Sequence, residues 1–268
     1  MNQYERTRIE RYSPVSLSET ILLALSRDPK TPDHPETRKL EDGPPLANLI
    51  EAYPDFVEII QGKKVADFGS GKGINTIEMK RAGAAEVIGI EINPEGLDNA
   101  RALASRAGLE VTFVEAPEDK HRHSFDVVIS ENSMEHFSDP ESILRQLVEL
   151  VAPGGILLIT FGPPWYAPYG GHMRFFTRVP WVHLLFSEAT IMRVRRRFRD
   201  DGATRYEEVV GGLNRMSVKR FEQMISKEHL VEVYRRYDGV RGAGWLTMLP
   251  LLRELFTVKL TGAYRKPG

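Results

Sequence analysis

The stretch that decides the fold is Val65-Ala66-Asp67-Phe68-Gly69-Ser70-Gly71-Lys72-Gly73. Val65–Phe68 reads as a short buried strand, and the glycines after it open a helix over Gly73–Arg81. Glycine has no Cβ, so such a turn bends tightly and lets a ligand lie against the backbone. The pattern D-x-G-x-G-x-G differs from two other Gly-rich turns. A dinucleotide fingerprint needs a third glycine where Ile74 stands, and a P-loop needs Ser or Thr where Gly73 follows Lys72.

Outward from this turn, strands and helices alternate. Strands are expected at Glu86–Glu91, Val111–Val114, Phe125–Ser130 and Ile156–Phe161. Helices are expected at Pro94–Ala107, with proline at its first position, and at Pro140–Val151, ending before Pro153-Gly154-Gly155. Short strands separated by helices imply right-handed crossovers and a parallel sheet, the α/β class. Upstream, Leu17, Ile21, Leu22 and Leu25 give helical spacing to Ser16–Arg27. Asp28–Pro45 reads as a loop, and Pro45–Ile60 as a helix broken at Pro54. Downstream, regularity stops after Phe161 and resumes with a helix near Ser217–Ser226 and strands near Leu230–Tyr237 and Val258–Tyr264.

Composition narrows the chemistry. The 268 residues include no cysteine, which excludes disulfides, thiolate metal sites and cysteine nucleophiles and fits a reducing cytoplasm. A formal net charge of −1 offers no broad basic field for nucleic acid. No run approaches the roughly 20 apolar residues of a membrane span, and Met1–Glu10 lacks the layout of a secretory signal. Glu91 closes the second strand about 20 residues after the glycines, where a carboxylate can accept hydrogen bonds from ribose hydroxyls.

Val65–Gly73, Val87–Asn93, Phe113–Ala116, Phe125–Val128 and Leu150–Ile159 together resemble the ordered motifs of class I S-adenosylmethionine-dependent methyltransferases. Met134-Glu135-His136-Phe137-Ser138-Asp139-Pro140 and Pro153-Gly154-Gly155 strengthen the resemblance, which is nearest to the small-molecule, ubiquinone-biosynthesis-like branch and spans about residues 60–162. The resemblance implies a Rossmann-like, doubly wound, seven-stranded and mostly parallel sheet. The order of elements along the chain divides it into an N-terminal helical segment (1–62), a cofactor-binding core (63–162), an inserted substrate-covering lobe (163–215) and a C-terminal part completing the core (216–268). Asp67 with the Gly69-Ser70-Gly71-Lys72-Gly73 turn would hold the methionine end of S-adenosylmethionine. Glu91 would take the ribose and Ile92 would pack on the adenine. Glu115 and the Ala116 N–H would read the adenine edge, and Glu131 and Asn132 would face the sulfonium region.

Methyl transfer from a sulfonium chiefly needs alignment, with a base where the acceptor loses a proton. His136 and His172 are the candidate bases, because imidazole titrates near neutrality. His121, His123, His183 and His229 read as surface or packing residues. Glu131, Asn132, Glu135 and His136, joined by His172, could ligate Mg²⁺ or Zn²⁺, but Asn132 stands where such a cluster needs Glu, so no metal is expected. Trp165, Tyr166, Tyr169, Phe175, Phe176 and Trp181 are an aromatic group of which about half should wall the pocket, Tyr166 and Tyr169 foremost. The run Arg193, Arg195, Arg196, Arg197 and Arg199 reads as a solvated helix face paired with local acids such as Asp200, Asp201, Glu207 and Glu208, with binding of an anionic substrate or an anionic membrane surface as the alternative. The partner expected is a small-molecule substrate, with no nucleic acid and no stable membrane insertion. A nicotinamide-dependent oxidoreductase and a non-catalytic cofactor-binding module are the alternatives.

Overall fold

Strands that pack helices on both faces must be apolar throughout, and Val65–Phe68 is buried at every residue. The computed structural model describes residues 14, 16–26, 46–199 and 201–268. The expected loop Asp28–Pro45, the end of the first helix at Arg27 and the segment Met1–Glu10 lie outside the described residues. Strands β1 (Lys64–Phe68), β2 (Glu86–Ile90), β3 (Thr112–Val114), β4 (Phe125–Glu131) and β5 (Val151–Phe161) run parallel. With β6 (Val231–Gly239) and β7 (Thr257–Arg265) they form a seven-stranded sheet of order β3-β2-β1-β4-β5-β7-β6. Only β7 runs against its neighbours in this sheet. This is the α/β, mostly parallel Rossmann-like architecture expected.

Helices α1 (Leu17–Ala24), α2 (Ala47–Ala52), α3 (Phe56–Ile60), α4 (Ile74–Arg81), α5 (Pro94–Ala107), α6 (Pro140–Leu150), α7 (Val182–Leu185), α8 (Glu188–Arg195), α9 (Val218–Ile225) and α10 (Pro250–Phe256) surround it. Local chemistry sets their ends. Asn93 Oδ1 accepts the Glu95 N–H at 3.0 Å, Pro94 opens α5, and Gly108 closes it at φ +64°. Asp139 Oδ1 accepts the Ser142 N–H at 3.0 Å at the start of α6, a cap worth about 1 kcal/mol. Leu144, Leu147 and Leu150 then bury one face of α6 against the sheet.

Three details differ from the sequence reading. The Pro45–Ile60 helix is two short helices, with Tyr53 and Pro54 in the break. The Tyr53 hydroxyl is buried between two carbonyls and donates to Ile159 O (3.0 Å) and Gly262 O (2.9 Å), tying this segment to β5 and β7. β5 starts at Val151, so Pro153-Gly154-Gly155 lies within the strand element, and Gly154 takes φ +77°. Between β6 and β7 stand a 3₁₀ turn (Gly244–Met248) and α10, neither signalled by a strong period.

The N-terminal helices part company. α2 and α3 join the core cluster around Val65, Val127 and Leu158. α1 packs on α8 instead, and Leu22 is buried with Phe176, Ile191 and Tyr206. Glu19, buried, pairs with Arg193; Ser26 bridges Thr177, whose hydroxyl donates to Leu25 O at 3.1 Å.

Candidate functional site

Gly69, Gly71 and Gly73 all adopt left-handed backbone, at φ +80°, +54° and +74°. The Gly69 and Ser70 amides donate to Ile90 O at 2.8 and 3.1 Å, which ties the turn to the end of β2. The next side chain along, Glu91, reaches back: its Oε2 accepts the Gly71 N–H at 2.8 Å and its Oε1 the Asn93 N–H at 2.8 Å. Each oxygen keeps a further lone pair. A Cβ on Gly73 would lie 2.7 Å from Ala100 Cβ and 2.8 Å from the Phe113 ring, whereas a Cβ on Gly71 would meet nothing within 4 Å. Gly73 therefore serves packing, and Gly71 faces open space.

Ile92, beside that space, leaves 79% of its surface exposed. The Glu91 amide donates to Val114 O at 3.0 Å, which places exposed Glu115 and Ala116 alongside. Asp67 is buried and accepts the Thr76 hydroxyl at 2.6 Å. Burial pushes its carboxyl up to about 7; the Thr76 bond opposes this, while the Glu131 and Glu91 charges add to it. Asn75 Nδ2 donates to Glu131 Oε2 at 2.5 Å. A nucleoside carrying an amino acid needs acceptors for hydroxyls and ammonium and an apolar face for its base. The lone pairs of Glu91, the Asp67 carboxyl, bare Ile92 and the open face of Gly71 meet those needs.

The loop after β4 adjoins this turn. A Cβ on Gly69 would lie 2.5 Å from Ser133 Oγ, so only glycine permits that contact. Asn214 fastens the same loop from the other side, donating to Met134 O (2.8 Å) and Phe137 O (2.7 Å), while its own amide donates to Glu135 O (3.0 Å). His136 Nδ1 sits 2.7 Å from Gly212 O. A carbonyl only accepts, so Nδ1 carries a proton, and in the neutral ring Nε2 holds the lone pair. Glu135 is buried and accepts the Gly162 N–H at 3.2 Å; burial raises its carboxyl, and the charge of His136 opposes that rise.

The two candidate histidines meet. Their rings stand edge to face, 5.4 Å apart at 81°. Both line a cavity of about 520 Å³ with Tyr169, Phe175, Arg195 and Arg199, a volume suited to a metabolite. His172 sits at φ +55°, a conformation that costs a non-glycine residue about 1–3 kcal/mol. Burial first, then the charge of His136, lowers its pKa to about 4, opposed by a hydrogen bond with the Pro163 backbone. Its buried Nε2 has no partner.

Other expectations fare differently. Tyr169 lines the cavity, but Tyr166 does not. Trp165 is inserted between His183 and Tyr206, which turns Tyr166 outward to 42% exposure, its carbonyl accepting the Trp181 indole N–H at 3.0 Å. Trp165 and Phe176 pack in the lobe's cluster, and Trp181 packs on Phe256. Asn132 is exposed at φ +49°, its amide on Thr160 O, outside the cavity lining. Among the described residues no group of three or more His, Asp or Glu gathers as metal ligands would.

The reading of the arginine run as a solvated face fails at Arg195 in its exposure, while the expected pairing with Asp201 is present. Its side chain is 2% exposed, and both guanidinium NH₂ groups engage Asp201. The Arg199 N–H donates to Arg195 O at 3.0 Å, so the helical turn continues past α8 and sets both side chains on one face. Sequence reasoning missed Arg174 as a cavity-lining group, and it ranked the anion-binding reading of Arg195 and Arg199 second to a solvated face. The four-residue spacing of the last two was the available signal.

Residues 66–159 match the methyltransferase domain family. The ubiquinone biosynthesis O-methyltransferase of Shewanella pealeana is 37% identical over 124 residues, 43% of this chain and 52% of that protein. Its namesake in Citrobacter koseri is 40% identical over 98 residues, 35% of this chain and 40% of that protein. This chain spans about half the length of the curated relatives it matches. Among solved structures, an S-adenosylmethionine dependent methyltransferase from Mesorhizobium loti superposes with a TM-score of 0.54 at 19% identity, covering 85% of this chain and 100% of that one. The missing third glycine, the anchored acid after β2 and these likenesses favour neither alternative cofactor nor alternative family. Over residues 66–159 the chain is similar to the methyltransferase domain family, on a fold shared with S-adenosylmethionine dependent methyltransferases.

Proposed function

We propose that this protein moves the methyl group of S-adenosylmethionine to an oxygen of a small-molecule acceptor held in the two-histidine cavity. The observation that carries this reading is the loop after β4. Ser133 packs on the glycine turn, and His136, three residues on, lines the cavity. One short backbone segment thus borders donor and acceptor sites, and an in-line displacement needs both held in register. Alignment of this kind can supply several kcal/mol, up to roughly 7–11 in ideal cases. The oxygen specificity rests on the names of the O-methyltransferase relatives.

When bound, the cofactor supplies a methyl group already activated by a positively charged sulfur. The chain binds and orients. Asp67 and the Gly69–Gly73 turn, Ser70 included, hold the methionine end. Glu91 accepts ribose hydroxyls with its remaining lone pairs, Ile92 covers the adenine, and Glu115 and the Ala116 N–H meet its edge. Glu131 and Asn132 border the sulfur side. As the acceptor oxygen bonds to carbon, its hydroxyl proton passes to His136 Nε2, while Gly212 O steadies the opposite nitrogen. His172 stays neutral at physiological pH, so its bare Nε2 accepts a hydrogen bond that orients the hydroxyl.

A cytoplasmic location and a partner set limited to small molecules are part of the proposal. They rest on the absence of cysteine and the near-zero net charge. Among the described residues no helix is long and apolar enough to cross a membrane. The test is label transfer from methyl-labelled S-adenosylmethionine into a metabolite extract. Labelled small molecules should appear with the wild type and be depleted with His136→Ala. A protein that binds S-adenosylhomocysteine yet leaves all label in the donor refutes methyl transfer.

A further inference from the structure

The cavity lining is lopsided in charge. It includes Arg174, Arg195 and Arg199 and, among the described residues, no carboxylate. Arg195 is buried to 2% exposure and held from behind by Asp201, yet its Nε donor has no partner. An unsatisfied donor this deep is destabilising unless a ligand meets it. The guanidinium groups also lie close to aromatic rings: that of Arg199 is 4.3 Å and that of Arg195 5.8 Å from the centroid of the same Phe175 ring, and that of Arg174 5.2 Å from that of Tyr169. Cation–π contact of this kind restrains a guanidinium beside the cavity. The group has five donors, so engagement on one edge leaves others for a ligand.

The same cavity is lined by the two imidazoles and by Tyr169, Phe175, Val209 and Leu213. We infer that the methyl acceptor is an amphiphilic anion: an apolar or aromatic body with a carboxylate or phosphate that docks on Arg174, Arg195 and Arg199, and a hydroxyl delivered to the histidines. This rests on the methyl-transfer reading and names the substrate class of that site. The shared chemistry is an oxyanion, because the guanidinium fork fits the two oxygens of either group.

The test compares benzoate, phenyl phosphate and neutral benzamide by calorimetry, with and without saturating S-adenosylhomocysteine. At least one anion should bind about tenfold or more tightly than benzamide, the scale of one charge-assisted hydrogen bond. The preference should weaken with salt and collapse in Arg174→Gln/Arg199→Gln, with S-adenosylhomocysteine affinity unchanged. A carboxylate source is identified by benzoate leading, a phosphate source by phenyl phosphate leading. Benzamide binding as well as both anions, or a preference that survives the double substitution, overturns the inference. Failure of S-adenosylhomocysteine to bind counts against the methyl-transfer reading instead, since the anion series is also read without it.

Discussion

Gly71 and Gly73 differ by two positions and, on the geometry, by their whole purpose, so Gly71→Ala and Gly73→Ala should fail in opposite ways. Both take left-handed backbone, which costs an alanine about 1–2 kcal/mol. At Gly73 the added methyl also enters the space of Ala100 and Phe113, at 2.7 and 2.8 Å, and overpacking of that kind costs about 1–3 kcal/mol more. At Gly71 it enters open space. For a chain of this size 1 kcal/mol shifts Tm by about 2–4 °C, so Gly73→Ala should melt about 2–12 °C below Gly71→Ala without ligand. With ligand the gap narrows or reverses. Saturation at about 100 times Kd stabilises the wild type by about 2.7 kcal/mol. Gly71→Ala should lose most of that gain, because its methyl stands where S-adenosylhomocysteine must approach. Thermal denaturation with and without S-adenosylhomocysteine, backed by calorimetric titration, reads both effects. Wild-type affinity in Gly71→Ala, or equal melting of the two ligand-free variants, would refute the division of labour.

Glu91→Gln keeps one oxygen acceptor but loses the charge, and should weaken S-adenosylhomocysteine by about 10–100-fold on the scale of charged hydrogen bonds; unchanged affinity removes Glu91 from the ribose. The raised pKa of Asp67 means that the ligand-free fold is stabilised by its proton below about 4 and loses that contribution as pH rises through about 7. A bound ammonium favours the carboxylate, so S-adenosylhomocysteine should bind more weakly as pH falls below 7 and release a proton on binding, seen as a buffer-dependent heat; Asp67→Asn should abolish that dependence. His172, lowered to about 4, keeps its full contribution above about 6.5 and loses it as pH falls through 4. Relative to His172→Gln, wild-type stability should therefore drop across that window; parallel curves would mean that His172 titrates normally. Tyr53→Phe strips a donor from two buried carbonyls and should cost about 1–3 kcal/mol in urea unfolding; no change in midpoint would show the hydroxyl to be energetically idle.

The core was readable because its chemistry is local in sequence. Asp67 through Gly73 contains its own strand end, turn and helix start, and Asn93-Pro94 and Asp139-Pro140 carry their own caps. Glu91 could be placed because strand two must end near the glycines. The cavity was harder, since its walls come from segments with no period linking them. His136 and His172 were each visible as histidines near strand ends, but their 5.4 Å meeting depends on the folding of the lobe. Tyr166 looked equivalent to Tyr169 in a Gly- and Pro-rich stretch, and only the packing of Trp165 against His183 and Tyr206 separates them. Arg195 looked like surface charge, and its pairing with Asp201 six residues on is what lets it be buried.

The helix at residues 17–24 completes a cluster whose other members begin some 150 residues later: Leu22 is fully enclosed there, and Glu19 and Ser26 fasten it at both ends. The acceptor-side lobe is therefore assembled from two distant stretches of polypeptide. Cutting out residues 163–215 as one block, or grafting them onto another methyltransferase core, would carry across a half-filled interior. An exchange of substrate preference by module swapping has to move both stretches together.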